Sequence, residues 1–364
     1  MQLKEIILKF DNCLKSYSST DKSFSTFIID FLDNYETELR NSSGLFDEIL
    51  DKVLISQEDF INRLTFIIDG VKKSTNYYLF QSSIDGKAYS ILRDSLVKSK
   101  LLLQLSNNSY KIPPRKGEFY RVRSSKKDEN LSQKDLFHIP FNLRGIASTQ
   151  RYSLPGFTHL YLANSIYTAW KELREPEYIS VIRFTNNFPM IFIDLDSASF
   201  ATRKFDDIED EPQALVDYAM LFPLLTVCTL KVKNDKHNFK PEYVMPQLLL
   251  ECIRELSPDI VGVRYRSTRI ESLNVKEDNF INFVIPPRKI NDKGYCNILQ
   301  QAFSMTAVEK MDLTEIYEEL EYQEHKEIKM LNIKGIPLEF KHSKFAKMES
   351  HLESLNLARY NFNS

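Results

Sequence analysis

The sequence predicts an α+β chain with an all-helical N-terminal part, a mixed part of short strands and helices, and helices at the C-terminus. Three observations predict it. Apolar residues recur at helical spacing through about residue 108. From about residue 115 the pattern changes to short apolar runs interleaved with amphipathic stretches. Those runs lack the roughly 30-residue βαβ spacing of a doubly wound sheet. At 364 residues and 43% hydrophobic, the chain can bury two or three cores rather than one.

The helical reading rests first on Ile6, Ile7, Phe10, Cys13 and Leu14, then on Phe27, Ile28, Phe31 and Leu32, each set one helical face. Ser56, three residues before Asp59, predicts a helix start leading into Phe60, Leu64, Ile67 and Ile68. A further amphipathic run covers Tyr89 to Leu103. The Ser-Asn-Asn-Ser stretch at 106–109 and Pro113-Pro114 break the pattern and set a boundary. Beyond it, predicted strands cover 118–123, 159–163, 179–184, 190–194, 260–266 and 279–285, and predicted helices cover 165–173, 212–221 and 243–256. Residues 305–330, rich in Glu and Lys, read as a solvated helix, and 338–359 as another. The domains expected are therefore a helical one at 1–112, a mixed one of strands and helices at 113–300 and a helical segment at 301–364.

Composition removes several functions. A net charge of -2 argues against a dedicated nucleic-acid binder. No apolar run approaches about 18 residues, so no membrane span is expected, and the charged N-terminus does not read as a secretory signal. The four cysteines form no CxxC pair and read as free thiols of a reducing cytoplasm. The six histidines show no HxxxH or HExxH spacing, so no metal site is expected. Nine glycines supply neither GxGxxG nor a P-loop. A bound nucleotide's phosphates would then have to be held by arginines.

Four places carry chemistry. Along Phe119-Tyr120-Arg121-Val122-Arg123, strand alternation puts Arg121 and Arg123 on one face, where they could grip a pyrophosphate or form a solvated basic edge. Arg151-Tyr152 precedes a Leu-Pro-Gly turn that directs the chain into the next strand, or is simply a surface pair. Tyr161 lies in the strand before Ser165, a helix N-cap, and Glu172 follows about two turns later on the face of Ser165 and Thr168. For these two the alternatives are a core tyrosine and a solvated carboxylate. Ser267 ends an apolar strand and either binds a ligand oxygen or caps a turn.

Taken as a set, Tyr120-Arg121, Arg151-Tyr152 through Glu172, the Pro-Glu-Tyr-Val-Met-Pro-Gln-Leu run at 241–248, and Tyr265-Arg266-Ser267 with Asn282 to Pro286 resemble the RES-domain family over about residues 117–290. The resemblance implies a fold similar to ADP-ribosyltransferases, with mixed sheets around a cleft. It implies a bacterial toxin that consumes NAD by hydrolysis or phosphorolysis, or transfers ADP-ribose to a protein. NAD is then a substrate, and no further cofactor is implied. Carried over by position, Glu172, Tyr161 and Arg151 are the catalytic residues, and Arg121, Arg123, Tyr152 and Ser267 bind substrate. The chain departs from the family where a glycine pair is replaced by Thr149-Gln150 and a tryptophan by Tyr152. A cognate antitoxin is the partner implied. The N-terminal helices lie outside the resemblance and leave built-in regulation or homo-oligomer formation open. A catalytically inert NAD or ADP-ribose sensor is the competing reading. A nuclease in the N-terminal helices is disfavoured, because no histidine precedes His138.

Overall fold

The apolar stripes of the first hundred residues become helices in the computed structural model, which describes residues 3–107, 109–196, 212–270, 280–314, 330–333, 336–339 and 343–362. In chain order the helices and strands are α1 (Leu3–Leu14), α2 (Phe24–Asn41), α3 (Asp47–Lys52), α4 (Gln57–Phe80), α5 (Lys87–Lys98), α6 (Leu101–Asn107), β1 (Tyr110–Ile112), β2 (Phe119–Ser124), β3 (Leu160–Ala163), α7 (Ile166–Glu172), β4 (Tyr178–Asn186) and β5 (Met190–Asp194). They continue as α8 (Pro212–Thr229), α9 (Val244–Leu256), β6 (Gly262–Arg266), β7 (Ile281–Ile285), α10 (Asn297–Ala302), β8 (Phe303–Met305), β9 (Glu309–Asp312), β10 (Met330–Ile333), β11 (Ile336–Glu339) and α11 (Lys344–Ser354). The chain is α+β with helices at its N-terminus. It forms two compact units that interleave in sequence: 1–110 with 149–154 and 192–263, and 111–148 with 155–191 and 264–364.

The first unit is helical. Ser23 and Ser56 cap α2 and α4, each accepting a backbone N–H three residues on, as the capping signal at Ser56 predicts. α8 is apolar all round and buried over Ala214 to Cys228, the pattern of a helix enclosed by others. Its Phe222 ring packs against Tyr35 and Phe31 of α2, with centroids 4.9 and 6.1 Å apart. The helix runs eight residues past the predicted end at Leu221, straight through Pro223. A proline has no N–H for the carbonyl four residues back. The buried Tyr35 hydroxyl donates to that carbonyl, on Ala219, at 3.0 Å.

The second unit is built on antiparallel pairs: β7 with β3, β3 with β2, β2 with β4, and β4 with β8 and β9. Opposed residues share a face. Tyr120, Ala163 and Asn282 therefore stand on one side, and Phe119, Arg121 and Phe283 on the other. α7 and α11 cover the first side, burying Ile166, Tyr167, Trp170, Phe345 and Leu352 against Tyr120, Val122, Ile179 and Val181. The second side carries Phe119, Phe184, Phe283 and Phe303 packed edge to face.

The C-terminal region departs from the expected helices. Residues 309–312, inside the predicted 305–330 helix, form β9 on the edge of β4, and 315–329 lie outside the described residues. Met311 and Leu313 are buried while Lys310 and Asp312 are exposed, so a two-residue period was hidden in a charged stretch. Of the predicted 338–359 helix, only 344–354 form one, α11, capped by Ser343, and 338–339 belong to β11, which pairs antiparallel with β10.

Candidate active site around Glu172

Ser165 ends the β3 segment and caps α7, its Oγ accepting from the Thr168 N–H at 3.1 Å. A carboxylate from α11 reinforces that start: Glu349 accepts from the Ile166 N–H at 2.6 Å. Seven residues later α7 stops at Glu172. The chain then turns through Arg174 and Glu175, two non-glycine residues with φ of 64° and 59°. Left-handed backbone at such residues costs about 1–2 kcal/mol apiece. The turn is held by Trp170 Nε1, which donates to the Pro176 carbonyl at 2.9 Å, and by the Lys171–Glu175 ion pair at 2.6 Å.

Glu172 sits at the wrong end of a helix for a negative charge, since the last turn's carbonyls repel it. Three side chains from elsewhere compensate. Ser267 Oγ and Asn282 Nδ2 each donate to Glu172 Oε1 at 2.7 Å. Arg269 Nε stands 3.2 Å from Oε2. Ser267 is fixed by its own N–H, which donates to the Phe280 carbonyl at 2.7 Å, while its Oγ also accepts from the Arg269 N–H at 3.2 Å. Asn282 is buried on β7 opposite Ala163. The carboxylate itself remains one-third exposed. A carboxylate with this set of donors is held as an acceptor of positive charge or of hydroxyl hydrogens.

Of the residues read from the sequence, the structure brings Glu172 and Ser267 together. It also joins Arg121 to Tyr161, but through the main chain: Arg121 Nη1 donates to the Tyr161 carbonyl at 2.9 Å. Burial, with Arg123 nearby, lowers Arg121 to about 10, which leaves it cationic at neutral pH. Arg121 and Arg123 do share a face, with Tyr120 and Val122 buried on the other. That face is the one opposite Asn282. Arg123 Nη1 donates to the Asp135 carbonyl at 2.7 Å.

Arg151 and Tyr152 belong to the first unit. The chain turns at Gln150–Ser153, which exchange backbone bonds of 2.9 and 3.2 Å. Neither Thr149 nor Gln150 has a positive φ, so this turn needs no glycine pair. Gln247 of α9 pins it by donating to the Gln150 carbonyl at 2.9 Å. Buried Arg151 donates through Nη1 to the carbonyls of Cys228 and Leu230, both at 3.1 Å, and stacks over Tyr243 with 5.2 Å to the ring centroid. A guanidinium at the end of α8 meets the unpaired carbonyls that a helix C-terminus presents. Tyr152 is buried beside it in sequence.

Two residues of the Glu172 cluster were not singled out by the sequence reading. Asn282 had a signal, a polar side chain inside the otherwise apolar Ile-Asn-Phe-Val-Ile strand. Arg269 had none beyond lying two residues after Ser267. The four cysteines are free, three of them buried, and burial pushes the Cys228 and Cys252 thiols up to about 12. No helix among the described residues is long and apolar enough to cross a membrane.

The chain matches no family model and no solved structure. It is 29% identical over 294 residues to a Bacillus subtilis (strain 168) protein named "Putative toxin YopC". The match covers 76% of this chain and 64% of that protein, so the chain spans somewhat under two thirds of the relative's length.

Proposed function

We propose that this protein is a toxin that consumes NAD by breaking the nicotinamide–ribose bond. The observation that carries the reading is the Glu172 carboxylate held by Ser267 and Asn282 at 2.7 Å. The RES resemblance names that Glu and that Ser, 95 residues apart, as one site, and the similarity to a protein named as a toxin agrees with the biological role.

In the reaction the C–N bond breaks and nicotinamide leaves with the bonding pair. Positive charge develops on the ribosyl carbon and ring oxygen, as in glycoside cleavage. Glu172 stabilises that charge and accepts a hydrogen bond from a ribose hydroxyl, an interaction that strengthens in the transition state. Ser267 and Asn282 hold the carboxylate in place. Tyr161 orients the nicotinamide side, while Arg121 and Arg123, on the opposite sheet face, hold the Tyr161 and Asp135 carbonyls. Arg151, spent on the carbonyls at the end of α8, serves by fixing its turn with Tyr152. Water as acceptor gives ADP-ribose and a proton, phosphate gives a phosphorylated ADP-ribose, and a protein side chain gives ADP-ribosylation.

The test is release of nicotinamide from NAD by the full chain, alone, with inorganic phosphate and with cell lysate. Release in any of the three supports the reading, and the productive addition identifies the acceptor. No release in all three contradicts an enzyme. Binding of NAD without turnover would make the protein a sensor module. Expression in bacteria is expected to stop growth as NAD falls.

A further inference from the structure

α7 closes in a way that its own residues do not favour. The Arg174 N–H donates to the Lys171 carbonyl at 3.1 Å, and the Glu175 N–H to the Trp170 carbonyl at 3.2 Å. These two bonds are the Schellman closure of a helix, whose left-handed residue is usually glycine. Here Arg174 and Glu175 take that conformation, with φ of 64° and 59°. Glycine at either place would relieve the strain. At 175 it would also remove a carboxylate that meets Lys171 Nζ at 2.6 Å. The two side chains are 12% and 27% exposed, so the pair is largely sheltered from solvent. The Lys171 ammonium also lies over the rings of Tyr167 and Trp170, 5.5 and 5.4 Å from their centroids. Trp170 in turn donates to the Pro176 carbonyl at 2.9 Å. Strained backbone persists only where its surroundings over-determine it, and such places cluster at functional sites. Glu172 stands inside this one, at the last position of α7.

We propose that Lys171 and Glu175 are positioning residues that fix Glu172 for the cleavage step. The proposal rests on the NAD-cleaving reading above. Ser267 and Asn282 converge on one oxygen of the Glu172 carboxylate, both at 2.7 Å. They meet it only while the Glu172 backbone stays in the last turn of α7. Helix ends fray, and a glycine closure would let this one move. The Lys171–Glu175 pair spans Glu172, from the residue before it to the third residue after it, and holds the turn shut. Its effect reaches the substrate through the orientation of the Glu172 carboxylate.

The experiment compares full chains of wild type, Glu175→Gly, Glu175→Gln, Lys171→Met, Lys171→Arg and the double variant Lys171→Met with Glu175→Gln. In Glu175→Gly the relief of strain offsets the lost ion pair, so its thermal midpoint should stay within about 4 °C of wild type. Its kcat for nicotinamide release should fall about 10- to 100-fold with KM changed by less than about twofold, the mark of a misplaced catalytic group. Glu175→Gln and Lys171→Met should fall likewise, the double variant no further than either, and Lys171→Arg should keep most of the rate. Glu175→Gln, which keeps the shape of the side chain, carries the test should the glycine variant not fold. Wild-type kcat in the Glu175 variants overturns the proposal. So do additive losses in the double variant, and a rise in KM at unchanged kcat. Should wild type release no nicotinamide, the NAD reading fails by itself. A crystal structure of Glu175→Gly then tests the positioning. Movement of Glu172 Oε1 to beyond about 3.5 Å from Ser267 Oγ or Asn282 Nδ2 supports it, and retention of both bonds overturns it.

Discussion

His138 shows how much a single buried polar residue decides. Its Nδ1 lies 2.7 Å from the Ile139 carbonyl, and its Nε2 accepts from the Cys296 N–H at 2.9 Å. Those partners require the neutral ring protonated on Nδ1. Burial, with Arg121 also disfavouring a second proton, lowers the ring from 6.5 to about 4. The unfolded chain therefore binds a proton that the folded chain refuses between those two values. Stability rises with pH across that window: the contribution is complete above about 6.5 and is lost as pH falls toward 4. Its size is up to roughly 3 kcal/mol. Urea unfolding at pH 7 and pH 5 should show a larger loss on acidification for wild type than for His138→Gln. Equal losses would contradict the neutral-ring assignment. At this scale the sequence pointed to Glu172 and Ser267 through their resemblance to the RES-domain family, and the structure brings the two together. Asn282 showed only as a polar residue in an apolar strand and Arg269 not at all, since which polar side chains converge on a carboxylate is set by strand register and turn geometry.

Helices and strands were legible where one period dominates. α4 begins at Ser56 and α7 at Ser165 as their caps predict. β9 was not, because Met311 and Leu313 give too short an alternation among charges. α8 continues past its predicted end at Leu221 and through Pro223, where Tyr35 replaces the donor that the proline lacks. Tyr35→Phe should cost about 1–3 kcal/mol by leaving the buried Ala219 carbonyl unpaired. In a Pro223→Ala background the new N–H supplies the missing bond, so the same substitution should cost clearly less. A double-mutant cycle with no coupling would show that Tyr35 does not compensate for the proline. Packing of α4 on α5 makes an equally specific demand. A Cβ at Gly70 would overlap both Ser95 Oγ and Ser95 Cβ. Gly70→Ala should destabilise by about 1–3 kcal/mol, with partial recovery on adding Ser95→Gly. Denaturation midpoints decide it, and a neutral Gly70→Ala would mean the two helices separate freely.

On the scale of the whole molecule, the helical character of the N-terminal residues is a local property and was readable as such. That 149–154 and 192–263 cluster with those helices is a property of contacts between distant segments, which no local pattern encodes. The consequence for function is that the resemblance spans two units. Glu172, Ser267, Asn282 and Arg269 all lie in the second, and Arg151 and Tyr152 lie in the first. The chemistry we propose therefore lies on the second unit, with Glu172 at its centre. The most direct test is the rate of nicotinamide release from NAD by wild type and by Glu172→Gln, with folding of both confirmed by thermal melting. The expected result is measurable release by wild type and a fall of at least about 100-fold in the variant, the scale of losing one transition-state charge contact. Release by Glu172→Gln at the wild-type rate would contradict the account.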